Sequence, residues 1–256
     1  MAFRKKREVF YDYEAVPPQL PKLGQREKSL ILELLAPRRG ERLLAVGFDD
    51  GARSVFFRES GCEVTSIVPS ARMLELAWQK FGNKAAIDIG KAEDLPFSDD
   101  EFDIVSLILS LEFTSDPEKA ISEAIRVCRG RVFLGVMNKY SLAATKPVIN
   151  ELTEGEFRQE ARLLDVGALL RLVRHHLPKA DIQWGSVIFL PRLGEGFVAA
   201  IDGAIPRRKN PFGAFLGMSF NVTYNLRTVQ DIIGSPFQIK APTGHPAQGI
   251  VREVTE

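Results

Sequence analysis

RLLAVGFDDG, residues 42–51, is the stretch on which the reading of this chain turns. Leu43, Leu44, Ala45 and Val46 make an apolar run of the length of a buried strand. Gly47 and Gly51 bracket a tight turn, and residues 52–60 read as a helix. Strand, glycine turn and helix N-terminus in that order cradle the polar end of a nucleotide-like ligand, because the first N–H groups of the helix and its dipole point at it. The turn is acidic, with Asp49 and Asp50 inside it.

Working outward, residues 26–35 read as a helix with Leu30, Ile31, Leu34 and Leu35 on one face and Pro37 ending it. Residues 62–68 read as a second strand, and Ser70 caps a helix whose Met73, Leu74, Ala77, Trp78 and Phe81 share a face. Residues 85–89 give a third strand and 90–96 a loop. Residues 102–109 are apolar along nearly their whole length, which suits a strand covered on both faces. Asp116 and Pro117 open a helix in the favoured cap-then-proline order, with Ala120, Ile121, Ala124, Ile125 and Cys128 as its buried face. Residues 131–137 give a fifth strand. Strands and helices alternating at this spacing predict right-handed βαβ units and an α/β, doubly wound parallel sheet. Further on, residues 141–152 and 166–177 read as helices and 182–190 and 212–222 as strands.

Composition bounds the function. Lys+Arg of 34 against Asp+Glu of 33 leaves a net charge of +1, so no bulk field favours nucleic acid or a membrane surface. The basic run RKKR at residues 4–7 has no apolar segment after it and reads as a solvated tail, not a signal peptide. No apolar run approaches the ~20 residues of a membrane span. Cys62 and Cys128 lack metal-ligand or disulfide-framework spacing, so no metal site is expected, and a cytoplasmic, reducing compartment is the default.

The order of pieces resembles the class I S-adenosylmethionine (SAM) dependent methyltransferases, in particular the type 11 branch that includes quinone C-methyltransferase-like enzymes. LLAVGFDDG (43–51) stands where that family has a strand ending in an acid-x-Gly-x-Gly-x-Gly loop. KAEDLPFSDDEFDIVSLILSLEF (91–113) looks like its AEDLPF…FD-hydrophobic block and is the most specific part. DPEKAISEAIRVCRGRVFLGVMNKYS (116–141) and NPFGAFLGMSF (210–220) follow in the family's order. The resemblance implies a doubly wound, mostly parallel seven-stranded, Rossmann-like sheet with helices on both faces. It implies SAM as cofactor and a small-molecule methyl acceptor, and the balanced charge leaves nucleic-acid and membrane partners unexpected.

Carried over residue by residue, the resemblance places Gly47, Phe48, Asp49 and Gly51 in the cofactor turn, and Val68 and Pro69 at the end of the second strand. It places Glu93, Asp94 and Leu95 after the third strand, Asp94 as acceptor from the adenine amino group, and Leu109 at the end of the fourth. Glu112 lies near where substrate enters and is a candidate base or polar contact. Tyr11, Arg158 and Arg162 are further substrate-side candidates. The expected organisation is an N-terminal segment and first helix (1–40), a SAM-binding-type core (41–140), a substrate-side half with a lid at 191–211 (141–222), and an extension (223–256).

Three positions depart from the family pattern. Ala45 replaces the acid that opens the loop motif, Asp49 its middle glycine, and Val68 the acid that grips both ribose hydroxyls. Two lost hydrogen bonds to a carboxylate cost about 1.5–3 kcal/mol each, or about two to four decades of affinity. An ordinary methyltransferase and a catalytically inactive methyltransferase-like protein that serves a protein partner both stay open. A dinucleotide oxidoreductase is weaker, since the turn has no GxGxxG.

Overall fold

The computed structural model describes residues 24–47, 51–81, 86–141, 162–187 and 208–222. The chain divides into two units, Met1–Thr223 and Tyr224–Glu256, and every described residue lies in the first. The expected helix at 142–152, residues 191–207 of the expected lid and the extension at 223–256 lie outside the described residues, whereas Ser141 and the lid's last four residues, 208–211, are described.

Seven strands form one sheet. In chain order the elements are α1 (Gln25–Leu35), β1 (Arg42–Val46), α2 (Ala52–Glu59), β2 (Glu63–Val68), α3 (Ala71–Phe81), β3 (Ala86–Ile89) and β4 (Phe102–Ile108). After them come α4 (Pro117–Arg126), β5 (Cys128–Met137), α5 (Val166–His176), β6 (Ile182–Val187) and β7 (Phe215–Asn221). The strand order is β3-β2-β1-β4-β5-β7-β6. The first five strands pair in parallel, and β7 runs antiparallel between β5 and β6. The strand order reverses between β1 and β4, which is where open α/β sheets hold their ligands.

The central strands are apolar on both faces because both faces are covered. Leu44, Val46, Val105 and Leu107 pack with α4 and α5 through Ala120, Ile121, Ala124, Leu169 and Val173. Leu43, Ala45, Ile104 and Ile108 pack on the opposite face with Leu30, Ile31, Leu34 and Leu35 of α1 and Phe56 and Phe57 of α2. The caps act as their residue types dictate. Ser70 Oγ accepts from Met73 N–H, and Asp116 accepts from Lys119 N–H with Pro117 at the first helical position.

Two strand starts differ from expectation by three residues: the strand read from 212 begins at Phe215, and the one read from 131 begins at Cys128. Cys128 opens β5 and is not on the face of α4. Apolar spacing at Ala120, Ala124 and Cys128 imitates a helix, yet α4 stops at Arg126, where Arg126 and Val127 carbonyls accept from Asp100 and Phe102 N–H. Those bonds place the next residues in the sheet beside β4.

Candidate functional site

At the carboxyl ends of β1 to β4 lies a narrow cleft. Val46, Gly47, Ile67 and Pro69 form one wall, and Gly90, Lys91, Ala92 and Glu93 another. Ser110, Phe113 and Thr114, in the turn after β4, close it. Gly47 has φ +145°, and a Cβ there would meet Ile108 O at 2.7 Å and Ser110 Cβ at 3.2 Å. Only glycine lets β1 leave the sheet this close to the end of β4. Gly51, at φ 90°, sets the first turn of α2 without a side-chain cap.

The sequence-derived candidates divide by where their side chains go. Gly47, Pro69 and Glu93 line the cleft. Val68 lines a neighbouring narrow space beneath α2, with Arg53, Phe57, Ser66 and Ser106. Leu95 and Leu109 are core side chains. Leu109 adopts φ 51°, an uncommon conformation for a branched residue, and so turns the chain over the cleft at the end of β4. Asp94, assigned to the adenine amino group, is exposed and off the cleft wall. The turn joining Lys91 and Asp94 presents Lys91, Ala92 and Glu93 instead. Phe48, Asp49, Tyr11 and Arg158 lie outside the described residues. The Arg162 side chain is exposed, while its N–H donates to Glu112 O at 3.0 Å.

Glu93 is held by its surroundings. Its Oε1 accepts from Ser115 N–H at 2.8 Å, Ser115 Oγ at 2.9 Å and Asp116 N–H at 3.5 Å, which ties the cleft wall to the start of α4. The rest of the AEDLPF block is fastened from α4. Glu123 accepts from Leu95 N–H at 3.0 Å, and Arg126 donates to Leu95 O at 3.0 Å and Phe97 O at 2.8 Å. Arg126 also pairs with Glu123 at 2.7 Å. The arginine draws Glu123's carboxyl below the usual carboxylate range.

Glu112 is the unusual group. It is 2% exposed, and its Oε1 accepts from Met137 N–H at 2.6 Å. Its Oε2 is buried without a hydrogen-bond partner. Burial pushes its pKa up to about 7, against donation from Met137 N–H and its own N–H and the positive charge of Arg53. Asn138, fully buried, was missed by the sequence reading. Its Nδ2 donates to Pro211 O and Gly213 O, and its Oδ1 accepts from Tyr140 N–H. One amide thereby holds two exposed aromatics, Tyr140 and Phe212, at neighbouring points beyond the ends of β5 and before β7.

With this geometry in place, the comparisons with known proteins become informative. Residues 44–134 match the methyltransferase domain family of type 11. Over those residues the chain is similar to a methyltransferase domain. Similarity to curated proteins covers only part of the chain. A demethylmenaquinone methyltransferase of Clavibacter sepedonicus is 32% identical over 104 residues, covering 39% of this chain and 42% of that protein. A ubiquinone/menaquinone biosynthesis C-methyltransferase of Pectobacterium atrosepticum is 31% identical over 136 residues, 49% of this chain and 51% of that one. The chain thus spans about half the length of such relatives. A SAM-dependent methyltransferase of Thermotoga maritima superposes over 77% of this chain and 89% of its own, with TM-score 0.58 and 23% identity, a likeness of fold.

The cleft fits a nucleoside cofactor in part. The glycine turn, Pro69 and Ala92 supply close backbone and an apolar wall. Val68, buried against Phe57 on the α2 side, supplies no carboxylate for ribose hydroxyls. Among the described residues, no helix is long and apolar enough to cross a membrane.

Proposed function

We propose that this chain transfers a methyl group from SAM to a small molecule, through a cofactor site weaker than is usual for its family. The observation that carries the reading is the cleft at the strand-order reversal, bounded by Gly47, Pro69 and the turn of residues 91–94. When bound, SAM supplies a sulfonium-activated methyl group. The protein's share is to bind the two reactants, exclude water and hold the acceptor in line, which needs no dedicated nucleophile. Tyr140 and Phe212, presented by Asn138, suit a flat, apolar acceptor, and the quinone-ring methyltransferases among the relatives agree with that class.

Val68 also favours a second reading, a methyltransferase-like protein that retains the fold and serves a protein partner. Calorimetric titration with SAM and S-adenosylhomocysteine separates the two, run on the wild type and on a Val68→Asp, Asp49→Gly double variant. The methyltransferase reading expects saturable wild-type binding in the high micromolar to millimolar range, and binding at least about tenfold tighter in the variant. A wild type silent at millimolar ligand beside a variant that binds would establish the second reading.

A further inference from the structure

We propose that the cleft takes an adenosine carrying a phosphate on the 2′ or 3′ oxygen of its ribose, and that Lys91 is the group that reads the phosphate. The choice of adenosine rests on the methyltransferase reading above. The preference for a phosphate rests on the charges of the cleft alone. Ile67 and Pro69 on one wall, Ala92 on the other and Phe113 between them offer an apolar seat for a base. The polar side chains beside that seat are unequally engaged. Glu93 is 8% exposed, and its Oε1 is taken by three donors at the start of α4. Lys91, on the same wall, is exposed and forms no ion pair among the described residues. Ser110 lines the cleft at 4% exposure, and its hydroxyl has no partner among the described residues. What the cleft holds in reserve is therefore an ammonium and a hydroxyl, both able to donate.

Position decides what those donors hold. In open α/β sheets that bind nucleotides, an acid beyond the second strand takes bare ribose hydroxyls, whereas a cation near that place accommodates a ribose phosphate. Here β2 ends in Val68, followed by Pro69, and neither brings a carboxylate. Val68 O accepts from Gly90 N–H at 3.0 Å, so Lys91 follows directly on a bond to the last residue of β2. Asp94, the other acid of the turn, is exposed and off the cleft wall. A neutral strand end beside an unpaired ammonium gives up the contact that favours free hydroxyls and supplies the one that favours a phosphate. A hydrogen bond between ammonium and phosphate is charge-assisted, roughly twice as strong as a neutral one.

The test is calorimetry of the full-length protein with adenosine, its 2′-, 3′- and 5′-monophosphates, inorganic phosphate and S-adenosylhomocysteine. The 2′- or the 3′-monophosphate should bind about tenfold or more tightly than adenosine. Raising the salt from about 0.05 M to about 0.5 M should erase most of that gain and leave adenosine unaffected. Lys91→Gln should weaken the phosphorylated ligand about tenfold and adenosine not at all. Equal affinity for adenosine and both of these phosphates, or a gain that survives in Lys91→Gln, overturns the proposal. So does an equal gain for the 5′-monophosphate, or inorganic phosphate bound as tightly, since the lysine would then read charge without position. Saturable binding of S-adenosylhomocysteine beside any of those results leaves the methyltransferase reading standing. Phosphorylated adenosine bound by a protein that is silent to millimolar S-adenosylhomocysteine supports the proposal and counts against that reading. The wild-type ligand and salt series need no variant, so the test does not depend on how Lys91→Gln folds.

Discussion

The β3–β4 loop and the glycine turn after β1 face each other across one cleft, yet they are built on opposite terms. In the loop, polar groups are tied down: Leu95 N–H to Glu123, Leu95 O and Phe97 O to Arg126, Glu93 to the start of α4. On the turn side, polar groups are left over. Glu112 Oε2 and Ser106 Oγ are buried without partners, and the row Ser66–Ala45–Ser106 across β2, β1 and β4 presents only small side chains beneath α2. The loop carries the closest sequence resemblance to methyltransferases, and what it preserves there is scaffold. The glycine turn carries the departures, while the unpartnered Ser106 and Glu112 belong to β4 and to the turn after it.

The contrast is sharpest where charge is buried. Glu112 has a folded-state pKa of about 7 against an ordinary 4.5, so the folded protein holds more protons than the unfolded chain between those values. Its contribution is fully present below about pH 4.5, falls as pH rises, and is lost above about pH 7. The wild type should lose of order 3 kcal/mol over that window relative to Glu112→Gln, which has no carboxyl to ionise. Urea denaturation of both proteins at pH 5 and pH 8 measures it. A constant difference between them would mean that Oε2 is already satisfied, and the two walls would be alike.

On the other wall, Arg126→Ala should cost about 2 kcal/mol, because it strips donors from two loop carbonyls and the partner from Glu123. Asp99, 74% exposed, adds little to that loss. Denaturant melts give the stability. Titration with S-adenosylhomocysteine should show weaker binding as the wall of residues 91–93 loosens. Unaltered stability would show the clamp to be ornamental and the loop held by its own turns.

Much of the fold was legible because burial writes itself as apolar runs. The unbroken apolar stretch of β4 announced a strand covered on both faces, and the Asp116–Pro117 pair announced the start of α4. Cys128 misled because an i+4 apolar spacing survives past the point where backbone bonds to β4 have ended the helix. The clamp was illegible for a different reason. Arg126 bonds to backbone carbonyls 31 and 29 positions earlier, and a carbonyl leaves no trace in residue identity. Asp94 and Lys91 could not be told apart by position in the motif, since a single turn decides which of them faces the cleft. Glu112 was legible as a polar residue ending an apolar run. Its burial depends on Met137, which lies 25 positions away.

The smallest expected effect is the most exposed to refutation. Ser106 is 2% exposed and its hydroxyl has no partner, between Ala45 on β1 and Phe133 on β5. Burying a hydroxyl without a bond costs about 1–3 kcal/mol, and deleting it leaves only a small extra void in the cavity under α2. Ser106→Ala should therefore be neutral or stabilising by up to about 1 kcal/mol, read as an unchanged or raised melting temperature. A loss of about 2 kcal/mol or more would mean the hydroxyl is bonded in solution, by a water or ligand group seated beside Arg53. The turn side would then hold a second polar site, and the difference between the walls would lie in what occupies them.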